Sequence, residues 1–278
     1  MPPIDLPLDT LTCYFVRHGE RTDHVDDTWT ATSSAPNDPP LTSQGRLQAE
    51  KTGALIYDLE TSHINGLSPD TASNTDYLVL TSPFLRCAQT SEGLCSGFQQ
   101  RHQKPINWKI SVEPGLSEVM NESYFDKQVP DSLIHSCISS IQNGKGCTNM
   151  PYNGAYVAAS SVMPAYPEGF QDMMARFVST LDHAVSWQIG QVTKAKVLGR
   201  ETRRVVLVFV THGAGISSLL WATTLQLGSN NVDYCCLTRA HIVNRKNMLP
   251  LPTFGTSRAP AFSWSVSHQA YAKHLANL

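Results

Sequence analysis

The sequence is short of the features that would place it at once in several large classes. Charged residues occupy only 16% of its 278 positions, and the two signs nearly cancel to a net charge of −2. Charge alone therefore gives no reason to expect a nucleic-acid partner. The longest strongly apolar run, Val205 to Val210, is far too short to span a bilayer, so no membrane partner is expected either. The first residues, Met1-Pro2-Pro3-Ile4-Asp5, lack the basic-then-apolar order of a secretion signal. Cysteines number seven and show no paired metal-ligand spacing; Cys235 and Cys236 are adjacent, and Cys13 sits inside an apolar run. That usage reads as reduced thiols in a cytoplasmic or nuclear compartment, with no zinc site and no cofactor. Repeats and low-complexity tracts are absent as well.

What the chain has is apolar material, 41% of its residues, enough for a sizeable core. One large domain over 1–278, with an insertion, is the expected organisation. Strands are expected at Leu11–Val16, Tyr77–Leu80, Lys109–Val112 and Val205–Val210, each a short apolar run. A polar, proline-containing loop covers Thr22–Pro40. Between the strands fall helical patterns. One opens at Ser43 and carries Leu47, Ala54, Leu55 and Leu59 on one face. Another is expected to be capped by Ser82 with Pro83 in its first position. A third runs through Phe170, Met173, Met174, Phe177, Leu181, Ala184 and Val185, and a fourth covers Ile216–Leu225. The stretch Glu60–Thr75 reads as a surface connection. From about 120 to 167 no period emerges, which reads as an insertion lying over the sheet and the site. Ala261–Val266 alternates like an edge strand and offers pairing across a homodimer. Strands alternating with helices imply a three-layer α/β/α sandwich with a mainly parallel sheet.

In such sheets ligands sit beyond the carboxyl ends of the strands. Arg17, His18, Arg86 and His212 all lie just past expected strand ends, and Arg21 follows closely. Arginine suits a phosphate clamp because its planar fork donates two hydrogen bonds and keeps its charge. A neutral histidine can attack phosphorus, and neighbouring cations keep it neutral. Taken singly, each residue has a bland reading: Arg86 as a solvated helix residue, His212 as a satisfied core histidine. Their joint placement at successive strand ends is what points to a phosphate site.

Three segments, Phe15-Val16-Arg17-His18-Gly19-Glu20, Thr81-Ser82-Pro83-Phe84-Leu85-Arg86-Cys87-Ala88-Gln89-Thr90 and Val210-Thr211-His212-Gly213, resemble the histidine phosphatase, or phosphoglycerate-mutase-like, superfamily. Asp38-Pro39-Pro40-Leu41-Thr42 and Val112-Glu113-Pro114-Gly115-Leu116-Ser117-Glu118 extend the likeness in family order. The resemblance implies a metal-independent phosphatase acting on phosphomonoesters through a phosphohistidine at His18. It implies Arg17, Arg86 and His212 as phosphate ligands. The proton donor is matched by Glu118, with Glu113 and Glu122 as neighbouring alternatives. Arg21, standing where mutases carry serine, makes the chain look like the branch of suppressor-of-T-cell-receptor-signalling and ecdysteroid-phosphate phosphatases, where this arginine also binds phosphate. No upstream ubiquitin-binding or SH3 segment is seen, so the catalytic domain alone is expected. A phosphorylated small molecule or a phosphotyrosine-type group is the expected substrate. Trp29, Tyr124, Phe125 and Tyr152 are candidates to line the mouth of the pocket. A non-catalytic interaction subunit keeping this fold is the alternative, and a phosphoglycerate mutase or sugar bisphosphatase a weaker one.

Overall fold

The computed structural model describes residues 11–62, 75–102, 106–144, 150–226, 232–245 and 261–278. Its centre is a six-stranded sheet ordered β3-β2-β4-β1-β5-β6. The strands are β1 (Leu11–Arg17), β2 (Thr75–Thr81), β3 (Asn107–Val112), β4 (Arg204–Thr211), β5 (Leu237–Arg245) and β6 (Phe262–Tyr271). The first four run parallel, and β5 and β6 add an antiparallel flank beside β1. Side-chain alternation splits the core into two layers. Cys13, Phe15, Leu78, Leu80, Leu207 and Phe209 pack on one face, against α5 (Phe170–Val197) and α6 (Gly213–Thr224). Tyr14, Val16, Tyr77, Val79, Val206, Val208 and Val210 pack on the other. That face is covered by α2 (Ser43–Ser62), α3 (Leu85–His102) and α4 (Ser132–Gln142). The result is a three-layer α/β/α sandwich. A single helical turn, α1 (Trp29–Thr32), interrupts the loop expected over Thr22–Pro40. No described helix is long and apolar enough to cross a membrane.

Several expectations need correction. The buried face of α2 is Gly45, Ala49, Thr52, Gly53, Ile56 and Glu60, whereas Leu47 is 41% exposed and Ala54, Leu55 and Leu59 are only partly covered. Close approach to α3 decides the face: a Cβ on Gly53 would stand 2.0 Å from the Leu94 carbonyl oxygen, and one on Gly97 would stand 1.7 Å from that of Glu50. Small residues, rather than leucines, set this helix pair. Ser82 does not cap α3, which begins at Leu85. Its first free N–H, on Leu85, donates to Asp38 Oδ1 at 2.8 Å. β5 is a strand the sequence did not announce, because its alternating residues include a buried arginine, Arg239. The 120–167 segment contains α4, with Ile134, Cys137 and Ile141 turned into the core. Part of the segment runs beside β3, where Tyr152 bridges to Ile110. Phe170 opens α5 but stays 63% exposed. The connection expected over Glu60–Thr75 falls largely outside the described residues, as α2 continues to Ser62.

Candidate active site

Four parallel strands end level with one another, and this assembles the site. Arg17 of β1 pairs with Thr211 of β4 in register, and the His18 N–H donates to the Thr211 carbonyl (2.9 Å). The next N–H groups follow suit, Ser82 to Val210 (3.0 Å) and Glu113 to Thr81 (2.8 Å). His18, His212, Ser82 and the turn after β3 therefore open onto one crevice at the carboxyl ends, where parallel sheets bind ligands.

The turn after β1 is packed to backbone contact. A Cβ on Gly19 would meet the Gly45 carbonyl oxygen at 2.4 Å, so no larger residue fits without moving α2. The Gly19 N–H donates to Thr90 Oγ1 (3.1 Å), and the Glu20 N–H to Gln48 Oε1 (2.9 Å). His18 is buried, and its Nδ1 lies 2.8 Å from the Gly19 carbonyl oxygen. A carbonyl only accepts, so Nδ1 must carry hydrogen. Burial, then Arg86 and Arg17, hold the ring well below its ordinary pKa, so it is neutral and Nε2 keeps its lone pair.

Arg86, in the first turn of α3, is 1% exposed, and burial lowers its pKa. Its guanidinium reaches His212 Nδ1 at 3.2 Å and the Asn37 carbonyl at 3.5 Å, with Asp38 Oδ1 at 3.8 Å. Its Nε has no hydrogen-bond partner, so the cation is incompletely matched. His212 is fully buried, and burial followed by Arg86 and His18 lowers its pKa strongly. A neutral ring accepting from Arg86 at Nδ1 carries its proton on Nε2, which then donates to Ser82 Oγ at 2.9 Å. The two histidine rings lie 5.3 Å apart. Cys87 Sγ is 3.6 Å from His212 Nε2, but burial pushes the thiol up to about 12, so it is no rival nucleophile.

Glu118 lies 3.4 Å from His212 Nδ1 and is buried. The turn that carries it is fastened twice. Thr211 Oγ1 donates to the Leu116 carbonyl (2.7 Å), and Arg176 of α5 donates to the carbonyls of Gly115 (2.9 Å) and Ser117 (3.0 Å). Arg176 is itself held by a two-point bond to Glu168 (2.6 and 2.7 Å). Of the alternatives, Glu113 is engaged elsewhere, accepting from Gly115 N, Tyr156 Oη and Ala159 N, each at 2.8 Å. Glu122 is exposed.

The remaining arginines stand nearer the rim. Arg17 donates to the Val232 carbonyl and lies over the Tyr234 ring, 4.3 Å from its centre. Arg21 is already paired with Asp23 through two bonds (2.9 and 2.8 Å), so any phosphate would have to share it. Its charge nonetheless helps depress both histidines. His18, Glu118 and His212 offer ligand atoms within 4.8 Å of one another, a spacing that a metal ion could also use. With Arg86 against His212 and Arg17 and Arg21 nearby, the field favours an anion over a cation.

Residues 13–129 match the model of the histidine phosphatase superfamily (branch 1). β4 and His212 lie beyond the matched segment and join it through the sheet. No curated protein sequence matches the chain. Among solved structures, ecdysone phosphate phosphatase from Bombix mori, in complex with tungstate, is similar in fold. It has a TM-score of 0.55 and 19% identity, and the match covers 89% of this chain and 97% of that one. YhfR of Bacillus stearothermophilus (TM-score 0.49, 18% identity, 95% and 99% covered) and a Bacillus anthracis phosphoglycerate mutase (0.46, 15%, 98% and 98%) also match.

Within this fold the aromatic expectations hold poorly. Phe125 is in the core, 6.0 Å from Phe84, and Tyr152 is at the β3 edge. Tyr124 is 55% exposed and Trp29 partly buried. The aromatic ring that does approach His18 is Tyr234, at 5.7 Å, and sequence reasoning passed over it. Asp38, Ser82 and Arg176 were likewise missed as supports. Only Asp38 and Ser82 lay inside the segments already singled out.

Proposed function

We propose that the chain is a metal-independent phosphatase that hydrolyses phosphomonoesters through a phosphohistidine on His18. The observation carrying this reading is a neutral histidine, its Nδ1 proton fixed by Gly19, beside a buried and under-matched Arg86. His18 Nε2 attacks phosphorus in line, the P–O bond to the leaving alcohol breaks, and its electron pair goes to that oxygen. Arg17 and Arg86 hold the non-bridging oxygens, joined by Arg21 when it turns from Asp23, and by His212 once phosphate draws Arg86 away from Nδ1 and the ring's single proton shifts from Nε2 to that atom. Glu118, entering as the acid, protonates the leaving oxygen. As a carboxylate it then takes a proton from the water that attacks the phosphohistidine, releasing phosphate and restoring His18. Arg21, and the likeness in fold to a protein named ecdysone phosphate phosphatase, support the phosphatase branch over mutases. The substrate is a phosphorylated small molecule or a phosphotyrosine-type group.

Acid quenching with a labelled phosphomonoester should trap acid-labile label on the wild-type chain and none on His18→Ala. Full turnover by His18→Ala, with no label trapped on either chain, would sink the mechanism.

A further inference from the structure

The loop entering β5 is bound to the nucleophile turn more tightly than a connection requires. The Cys235 N–H donates to the His18 carbonyl, the Arg17 N–H donates to the Cys236 carbonyl (both 3.2 Å), and the Arg17 guanidinium donates to that of Val232. Cys235 holds φ at 50°, a left-handed conformation that costs a non-glycine residue free energy and persists only where its surroundings enforce it. What this kinked loop places at the site is Tyr234. One end of the side chain is fixed by a hydrogen bond between its hydroxyl and His24 Nδ1. Burial raises the phenol's pKa, while burial and then Arg21 lower that of His24, so the bond joins two neutral groups. The ring lies 4.3 Å from Arg17 Cζ, and Arg17 Nε is buried without a partner. The Arg17 guanidinium is thus located by one carbonyl and one aromatic ring.

We propose that Tyr234 is a positioning residue: its ring, anchored through His24, holds the Arg17 guanidinium where it meets a phosphate at His18. The identity of the anion rests on the phosphatase reading above. Without the ring, Arg17 keeps only the Val232 carbonyl and regains the rotamer freedom of a long side chain.

A double-mutant cycle read by calorimetric titration of inorganic phosphate into the full chain tests this, alongside kcat and KM for an aryl phosphate. Tyr234→Leu removes the ring and is expected to weaken phosphate binding about tenfold, the size of a partly desolvated cation–π contact. Tyr234→Phe keeps the ring and loses only the His24 bond, so binding should stay within about threefold of wild type. In an Arg17→Met background, where Arg86 still binds phosphate, Tyr234→Leu should cost nothing further. Additive losses overturn the inference, as do a leucine variant that binds like wild type and a phenylalanine variant as weak as leucine. A wild-type chain that binds no phosphate overturns it too. If wild type binds phosphate but hydrolyses no phosphomonoester, the phosphatase reading fails on its own and the cycle still decides the role of Tyr234.

Discussion

Charge is buried toward both ends of the parallel strands, and the two ends treat it in opposite ways. Near the amino ends of β1 and β4, Glu60 is 2% exposed and accepts from Tyr14 Oη (2.6 Å), from Arg204 and from Arg239 (3.3 Å). Arg204 also donates to Thr12 Oγ1 at 2.8 Å. Burial alone would push the Glu60 carboxyl up, yet Arg204, Tyr14 and Arg239 together bring it below its ordinary value. At the carboxyl ends Arg86 is as deeply buried, but its nearest carboxylate oxygen is 3.8 Å away, and its closest hydrogen-bond partner is a neutral histidine. In the first cluster one carboxylate is in contact with both arginines, although Arg239 Nε keeps no hydrogen-bond partner. In the second, Arg86 has no carboxylate oxygen within hydrogen-bond distance, as a site for a dianion requires. The difference separates a structural ion network from a functional one by how well each is matched, since depth of burial is the same in both.

Three substitutions can break that contrast. His18→Ala should lower kcat by on the order of 10⁴-fold or more while leaving the chain folded, measured by aryl phosphate turnover and circular dichroism. Glu60→Gln should do the reverse. Leaving Arg204 and Arg239 without their carboxylate should cost about 3–5 kcal/mol in urea unfolding, with the activity of the folded fraction unchanged. Arg86→Met lies between these. It should lower kcat/KM by about 10²–10³-fold yet leave the urea midpoint unchanged or raised, because it removes a buried cation that the fold does not match. A large loss of stability in Arg86→Met would show that the two clusters are alike after all.

The sequence disclosed the carboxyl-end cluster better than the amino-end one, for physical reasons. Strands β1 to β4 are buried on both faces and read as plain apolar runs, so their ends, and with them Arg17, His18, Arg86 and His212, could be located by inspection. Glu60, Arg204 and Arg239 are charged residues distant in sequence, and nothing local tells that each is buried by the others. β5 escaped notice for that reason: the burial of Arg239 is explained by a carboxylate 179 positions away. The buried face of α2 was misread because hydrophobicity pointed to Leu47, while backbone contact with α3 selected Gly53 and Ile56. Glu118 could be named only through family resemblance. Its position depends on Thr211 and Arg176, which reach its turn from other elements.

The smallest effect is also the one that separates the clusters by pH. His18 and His212 are held well below 6.5 in the folded chain, chiefly by burial, while in the unfolded chain they titrate near 6.5. Below that pH the unfolded state binds protons the native state refuses. Stability therefore falls as pH drops, by up to about 1.4 kcal/mol per pH unit for each such histidine. His274, lowered to about 4 by burial and Lys51, contributes to the same window, so the total slope belongs to no single ring. Subtracting the profile of His18→Ala from that of wild type isolates His18, and the pH dependence of the difference should vanish above about pH 7.5. Glu60 is depressed rather than raised, so its contribution is present above its ordinary pKa of 4.5 and lost only as pH falls through the lower folded value. Urea midpoints between pH 4.5 and 7.5 should accordingly lose slope in His18→Ala, whereas Glu60→Gln should shift the whole curve down at constant slope. Equal slopes in wild type and His18→Ala would mean that His18 is charged in the empty site, and the neutral nucleophile would have to be abandoned.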